Sequence, residues 1–223
     1  MEKNKMIYLI YLTISLQFIF SNNFDHSKFN IARVHYGGGG DWYSDPSSIP
    51  NLLDFINKNT MIVAGENDLN VKIGDDEFYL SNYLYITGHG NINLSSEEIA
   101  ILRGHLLKGA FLHADDNYGM DKSFRKLVDA LFPEKELVEI SPSHDLFNCF
   151  YKFPNGLPKI HEHDNKPPQA LGIFEDERLI LLYTYESDLG DGWEDVRVHN
   201  VPEEKRLLAL KMGTNIAVYS LSQ

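Results

Sequence analysis

Strand-like and helix-like segments alternate through roughly the first 140 residues, and that alternation leaves few folds open. "FNIARVHY" (29–36) alternates and is rich in strand formers. It runs into Gly37-Gly38-Gly39-Gly40. A helix is expected next, with Asp45 as N-cap, Pro46 at its first position, and Leu52, Leu53 and Ile56 on one face. "MIVAG" (61–65) and "LNVKIG" (69–74) read as short strands or an extended excursion. "YLYITGHGN" (83–91) reads as a buried strand ending in Gly-His-Gly.

The next helix carries its own start signals. Ser95 and Glu98 fit a capping box, Leu94 and Ile99 a hydrophobic staple, and Gly109 a stop. "AFLHA" (110–114) is a strand leading into Asp115-Asp116-Asn117-Tyr118-Gly119, and Asp121 is placed to cap "KSFRKLVDALF". "ELVEI" (136–140) is a further strand, "ALGIFEDERLILLYTYES" a strand pair turning at Asp176-Glu177, and "PEEKRLLALKMGTNIAVYSL" a closing helix. The expected fold is α/β: a three-layer sandwich with a mainly parallel sheet and helices on both faces. Ligands of such sheets bind beyond the carboxyl ends of the strands, at a switch point in strand order. "GGGGDW", "TGHGN" and "ADDNYG" all leave such ends.

Composition narrows the classes of partner. The formal net charge of -12 over 223 residues repels phosphate backbones, so nucleic acid is not an expected partner. Lys3 and Lys5 precede an apolar run from Met6 to Phe20, and Ser21 follows. Residues 1–21 therefore read as a signal peptide, with an uncleaved membrane anchor as the alternative. The run is short for a membrane span. An exported protein, periplasmic or extracellular, is expected. Cys149 is the only cysteine, so no intrachain disulfide can form, and a buried inert thiol is expected there.

"ARVHYGGGGDWYSDPSSIPNLL", "LYITGHGN", "FLHADDNYG", "KIHEHDNKPPQALGIF", "YTYESDLGDGWED" and "LKMGTNIAVYSL" occur in this order. Together they resemble the family called domain of unknown function 4159, over about residues 29–222 as one domain. The resemblance implies the class I glutamine amidotransferase-like fold, a flavodoxin-like three-layer sandwich. It does not carry glutaminase chemistry. The turn comparable to the amidotransferase nucleophile elbow reads His113-Ala114-Asp115-Asp116-Asn117, without a cysteine or flanking glycines. No Gly-x-Ser-x-Gly occurs either.

Several constellations remain. His161 and His163, two apart in "HEHD", point to one side of an extended segment, with Glu162 and Asp164 on the other. Such a pair suits zinc or another divalent metal, with a third ligand from His89, Asp115 or Asp116. A metal-free polar site and a plain surface loop are the alternatives. His89, between Gly88 and Gly90, can move protons near neutral pH or merely cap a turn. Asp115 and Asp116 can hold a cation or transfer a proton, or they can cap the next helix. Asn117 and Tyr118 continue that loop as ligand-binding candidates. Gly38 and Gly39 let backbone approach a ligand. Asp41 and Trp42 stand beside them, Trp42 either stacking on a sugar face or packing in the core. "ESDLGDGWED" (186–195) offers oxygen ligands for calcium but misses the EF-hand spacing. It otherwise reads as an acidic surface loop anchored by Trp193.

No motif specifies a reaction. The sequence therefore favours a non-catalytic module binding a glycan, peptide or envelope partner protein. The alternative is a hydrolase-like enzyme, assisted by a divalent metal, with His89, Asp115 and Asp116 as catalytic candidates.

Overall fold

The computed structural model describes Asp25 and residues 27–223. The signal-peptide reading of residues 1–21 lies outside them. Among the described residues, seven strands form one sheet in the order β2-β1-β3-β4-β7-β6-β5. The strands are β1 (Ala32–His35), β2 (Leu69–Lys72), β3 (Tyr83–Ile86), β4 (Phe111–Asp115), β5 (Val138–Glu139), β6 (Gln169–Glu175) and β7 (Arg178–Tyr185). The first four and β7 pair in parallel. β6 and β7 form the expected hairpin, turning at Asp176 in the left-handed region, and β5 pairs antiparallel to β6. The sheet is thus mixed but mainly parallel, with the switch point between β1 and β3 that a flavodoxin-like order has.

Strand alternation divides the core into two layers. Tyr83, Tyr85, Phe111 and Leu182 join a cluster with Ile49, Leu52, Leu53 and Ile56 of α1 (Ser48–Asn59), Trp193 of α5 (Leu189–Trp193), and Met212 and Ile216 of α7 (Glu203–Ser222). Leu84, Ile86, Leu112 and Ala114 face the other way. They pack with Phe78 of α2 (Asp76–Tyr79), Leu102 and Leu106 of α3 (Ser96–Leu107), and Phe124 and Leu131 of α4 (Asp121–Leu131). Each fully buried aliphatic side chain of this kind contributes roughly 1.5–3 kcal/mol. α6 (Val196–His199) lies outside both clusters.

The Ser95–Glu98 capping box forms, with Ser95 Oγ accepting from the Glu98 amide and Glu98 from the Ser95 amide. Two other expected caps do not. Ser47 occupies the N-cap of α1, and Asp45 lies before it at φ 55°, its carboxylate turned away. Asp121 sits inside α4, where its carboxylate accepts from Arg125 and from the Tyr183 hydroxyl instead of capping. "MIVAG" makes only a single bridge, Ala64 to Phe29, so it is the extended excursion. Cys149 is exposed, not buried, although its Sγ reaches back to the Asn215 carbonyl at 3.4 Å. Among the described residues, no helix is long and apolar enough to cross a membrane.

Candidate functional site

The loops after β3, β4 and β7 and the "HEHD" segment enclose a cavity of about 320 Å³ at the carboxyl edge of the sheet. His89, Asn117, Tyr118, His161, Glu162, His163, Asp188, Asp191 and His199 line it. Its floor is set by burial and hydrogen bonding that begin in β1. Arg33, with 1% exposed, faces the α1 layer. Its Nε donates to Asp68 Oδ2 at 2.8 Å, and its Nη atoms donate to the carbonyls of Ser44 (2.6 Å) and Asp45 (3.0 Å). A buried guanidinium is stable only when so completely paired. Here the pairing fixes the turn from which Asp45 meets Asn117 and His199 of the lining.

A second buried chain fixes the turn after β7. His113 is fully buried, and burial pushes its pKa down to about 3, so it is neutral. Its Nδ1 lies 3.1 Å from the Tyr83 hydroxyl and its Nε2 3.0 Å from Thr184 Oγ1, and Thr184 donates to Asp115. Asp115 Oδ2 accepts from the Gly190 amide at 2.7 Å. Burial and then the charge of Asp188 hold the Asp115 carboxyl well above the usual range. Asp115 therefore stands behind the cavity wall and buttresses α5, which carries Asp191.

The "HEHD" segment is laid on this same turn. The Ile160 amide donates to Ser187 O at 2.9 Å, Ser187 Oγ donates to Pro158 O, and Lys159 Nζ meets the buried Glu186 carboxylate at 2.6 Å. His161 and His163 do share a side, because both meet Asp188. His163 Nε2 is 2.9 Å and His161 Nδ1 3.6 Å from Asp188 Oδ2. His161 Nδ1 is also 2.7 Å from Asp191 Oδ2. The hydrogen bond to Asp188, with the Asp191 charge behind it, raises His161 to about 9, and Asp188 raises His163 as well. Although burial opposes it, the same two histidines hold the Asp188 carboxyl below its usual range. Burial and the Asp188 charge raise Asp191 to about 7. On the other wall His199 Nε2 lies 3.1 Å from Asp191 Oδ1 and 3.3 Å from Asp45 Oδ1.

Among the described residues, two groups have metal-ligand proximity: His161, His163 and Asp188, and Asp45, Asp191 and His199. Within each group the donor atoms lie within 4.8 Å of one another. A tetrahedral zinc with bonds of 2.0–2.2 Å places two donors about 3.3 Å apart. The separations of 2.9 and 3.6 Å around Asp188 bracket that value, and those of 3.1 and 3.3 Å around His199 lie at or just below it.

The remaining sequence candidates take other places. His89 reaches the cavity rim. Its amide and Nδ1 both meet the Asp41 carboxylate, the latter at 3.0 Å, which leaves Nε2 as the nitrogen available to a ligand. Gly88, at φ 129°, is required there: a Cβ would meet the Tyr36 hydroxyl at 2.5 Å. Gly90 is also left-handed, at φ 86°. Asp116 is buried and accepts from the Met120 amide at 3.3 Å, just ahead of α4; burial raises its pKa. Gly38 approaches the backbone of Asn93, a Cβ on Gly39 would meet nothing within 4 Å, and neither lines the cavity. Trp42 stacks on His35 with ring centroids 4.2 Å apart and does not line the cavity.

The sequence reading missed Asp45, Asp188, Asp191 and His199 as one constellation. The "ESDLGDGWED" segment is not a surface loop: Glu186 to Glu194 are buried. Trp193 is its anchor, as expected, donating Nε1–H to Ala209 O at 2.8 Å. Asp45, Tyr118, Glu186 and Asp188 all have positive φ. Such strained non-glycine backbone persists where surrounding contacts impose it, and it concentrates at functional sites.

Comparison with curated proteins gives no match. The family model described as domain of unknown function (DUF4159) matches residues 30–221, nearly the whole described chain, and the protein belongs to that family.

Proposed function

We propose that this domain is a metal-dependent hydrolase in which His161, His163 and Asp188 hold a divalent transition metal at the carboxyl edge of the sheet. One observation carries the reading. Two imidazole nitrogens converge on one buried carboxylate at separations a metal would span, inside an open cavity. Three protein ligands with room beside them are the composition of a catalytic rather than a structural zinc site. A bound divalent ion supplies Lewis acidity and lowers the pKa of a coordinated water. His89, oriented through Nδ1 by Asp41, presents Nε2 at the rim and serves as proton carrier. Tyr118 and Asn117 shape the wall against which a substrate rests.

A metal-free binding module is the second reading, and a specific observation favours it. Asp188 holds His161 protonated up to about 9, so the cluster satisfies its own charges at neutral pH. In that reading the cavity takes a glycan, a peptide or an envelope partner, as suits an exported domain.

The test is hydrolysis of chromogenic phosphate and carboxyl esters by chelator-treated protein, before and after addition of zinc or manganese. The proposal expects turnover only with metal, abolished in His163→Ala and lowered about a hundredfold in His89→Ala. Metal binding without turnover of either ester class would move the assignment to the binding module.

A further inference from the structure

The first metal group uses only one wall of the cavity. His199, also in the lining, meets the buried Asp45, and Asp191 touches both His161 and His199. Its Oδ2 is 2.7 Å from His161 Nδ1 and its Oδ1 is 3.1 Å from His199 Nε2. The carboxylate therefore spans the two groups, one oxygen turned to each. Only 3% of Asp191 is exposed, and Asp45 beside it is buried too. Burying such carboxylates together is costly without cationic partners. The described partners are His199, which contacts both, and His161, which contacts Asp191.

A second, independent observation points to a ligand. Asn117 is buried, with 2% exposed, and it lines the cavity. Its Nδ2 donates to Asp45 Oδ2 at 2.8 Å and to Ser44 Oγ at 2.7 Å. Those two bonds fix which end of the amide is nitrogen, since the reversed amide would set its oxygen against the Asp45 carboxylate. The Oδ1 atom is then left without a hydrogen-bond partner among the described residues. A buried amide oxygen on a cavity-lining residue that also meets Asp45 through its Nδ2 lacks a donor or a cation.

We infer that Asp45, His199 and Asn117 Oδ1, with Asp191 as a shared bridging carboxylate, form a second divalent-cation subsite, and that the centre holds two metals. This rests on the metal reading above and deepens it. A carboxylate that bridges through both oxygens holds ions about 3.5–4 Å apart, the spacing of two-metal hydrolytic centres. Such a pair clamps an oxygen of an ester or amide from two sides, so no lysine or arginine is needed in the cavity lining. Arg33 serves the subsite from behind, by holding the turn that presents Asp45.

The experiment is a cobalt(II) titration of the metal-free full chain, followed by visible absorption and electron paramagnetic resonance. The inference expects two equivalents in the wild type, with the signal of the first ion quenched by spin coupling as the second binds. His199→Ala should keep the first equivalent and bind the second at least about tenfold more weakly. His163→Ala should weaken the other ion. Saturation at one equivalent, unchanged in His199→Ala, would overturn the second subsite and leave the first standing. No binding by the wild type would overturn both. Two equivalents without spin coupling would overturn the Asp191 bridge. Thermal unfolding checks each variant, with His199→Gln as the milder change. If neither folds, the wild-type stoichiometry and coupling decide.

Discussion

His163 Nε2 and Asp188 Oδ2 lie 2.9 Å apart, and both side chains are more than nine-tenths buried. They come from segments 25 residues apart, the loop before β6 and the turn after β7. A buried carboxylate facing two imidazoles can be neutralised by protons or by a metal, and each choice leaves a measurable trace.

Asp188→Asn keeps the size of the side chain and removes its charge. In metal-free protein, His161 should then titrate well below its present value of about 9, moving toward the ordinary 6.5. His163 should fall as well, since Asp188 is the main cause of its raised pKa. Titration of the imidazole ring protons by nuclear magnetic resonance reads both. An unchanged His161 would mean that Asp191 alone holds its proton.

The same shift fixes the sign of a pH dependence. His161 binds its proton more tightly folded, at about 9, than unfolded, near 6.5. Its stabilising contribution is complete below about 6.5 and is lost as pH rises through 9. Asp191, raised from 3.8 to about 7, likewise favours the folded state less as pH rises between those values. Urea denaturation in the presence of chelator should show the advantage of wild type over His161→Ala shrinking from pH 6.5 to 9. An advantage that grows over that range would contradict the assignment. Saturating zinc should reverse the trend below pH 7, because metal binding displaces these protons.

Arg33→Met tests the scaffold. The change leaves Asp68 without its ion-pair partner and the Ser44 and Asp45 carbonyls short of a donor. It should cost about 3 kcal/mol of stability. Metal affinity at the Asp45 wall should fall more than at the His163 wall. Equal loss at both walls would indicate general loosening instead of a displaced turn.

Gly88→Ala adds a methyl group 2.5 Å from the Tyr36 hydroxyl and 2.8 Å from the Asp41 carbonyl, at a φ of 129°. The loop must move, costing about 2 kcal/mol, and His89 moves with it. Turnover should drop while metal content stays at wild-type level, since His89 is not among the proposed ligands. Ser95→Ala is the matching control. It should cost about 1 kcal/mol through the lost cap and leave both readouts unchanged.

How far the sequence revealed this site follows from distance along the chain. The Ser95–Glu98 box, the Gly109 helix stop and the shared side of His161 and His163 rest on neighbours within a few residues, and these are legible. The parallel core follows from alternation alone. Asp45 misled because Asp-Pro ahead of an amphipathic segment is an ordinary helix start, and only the distant Asn117 and His199 reveal that its carboxylate points elsewhere. Asp188 and Asp191 misled because an acidic stretch is normally solvated. Their burial depends on His161, His163 and His199, which arrive from other segments. One signal was present: Asp188 follows the carboxyl end of β7, a central strand, where sites of such sheets collect. Reading β7 only as half of a hairpin hid it. His199, in "VRVHN", carries no local signal.

The central claim is that a divalent metal sits on His161, His163 and Asp188. Its most direct test is the zinc content of chain purified without chelator or histidine tag, measured by elemental analysis beside the double variant His161→Ala/His163→Ala. At least one equivalent of metal is expected in the wild type, and its loss in the variant. A wild type that retains no metal, and whose melting temperature does not rise on addition of zinc, manganese or cobalt, would contradict it.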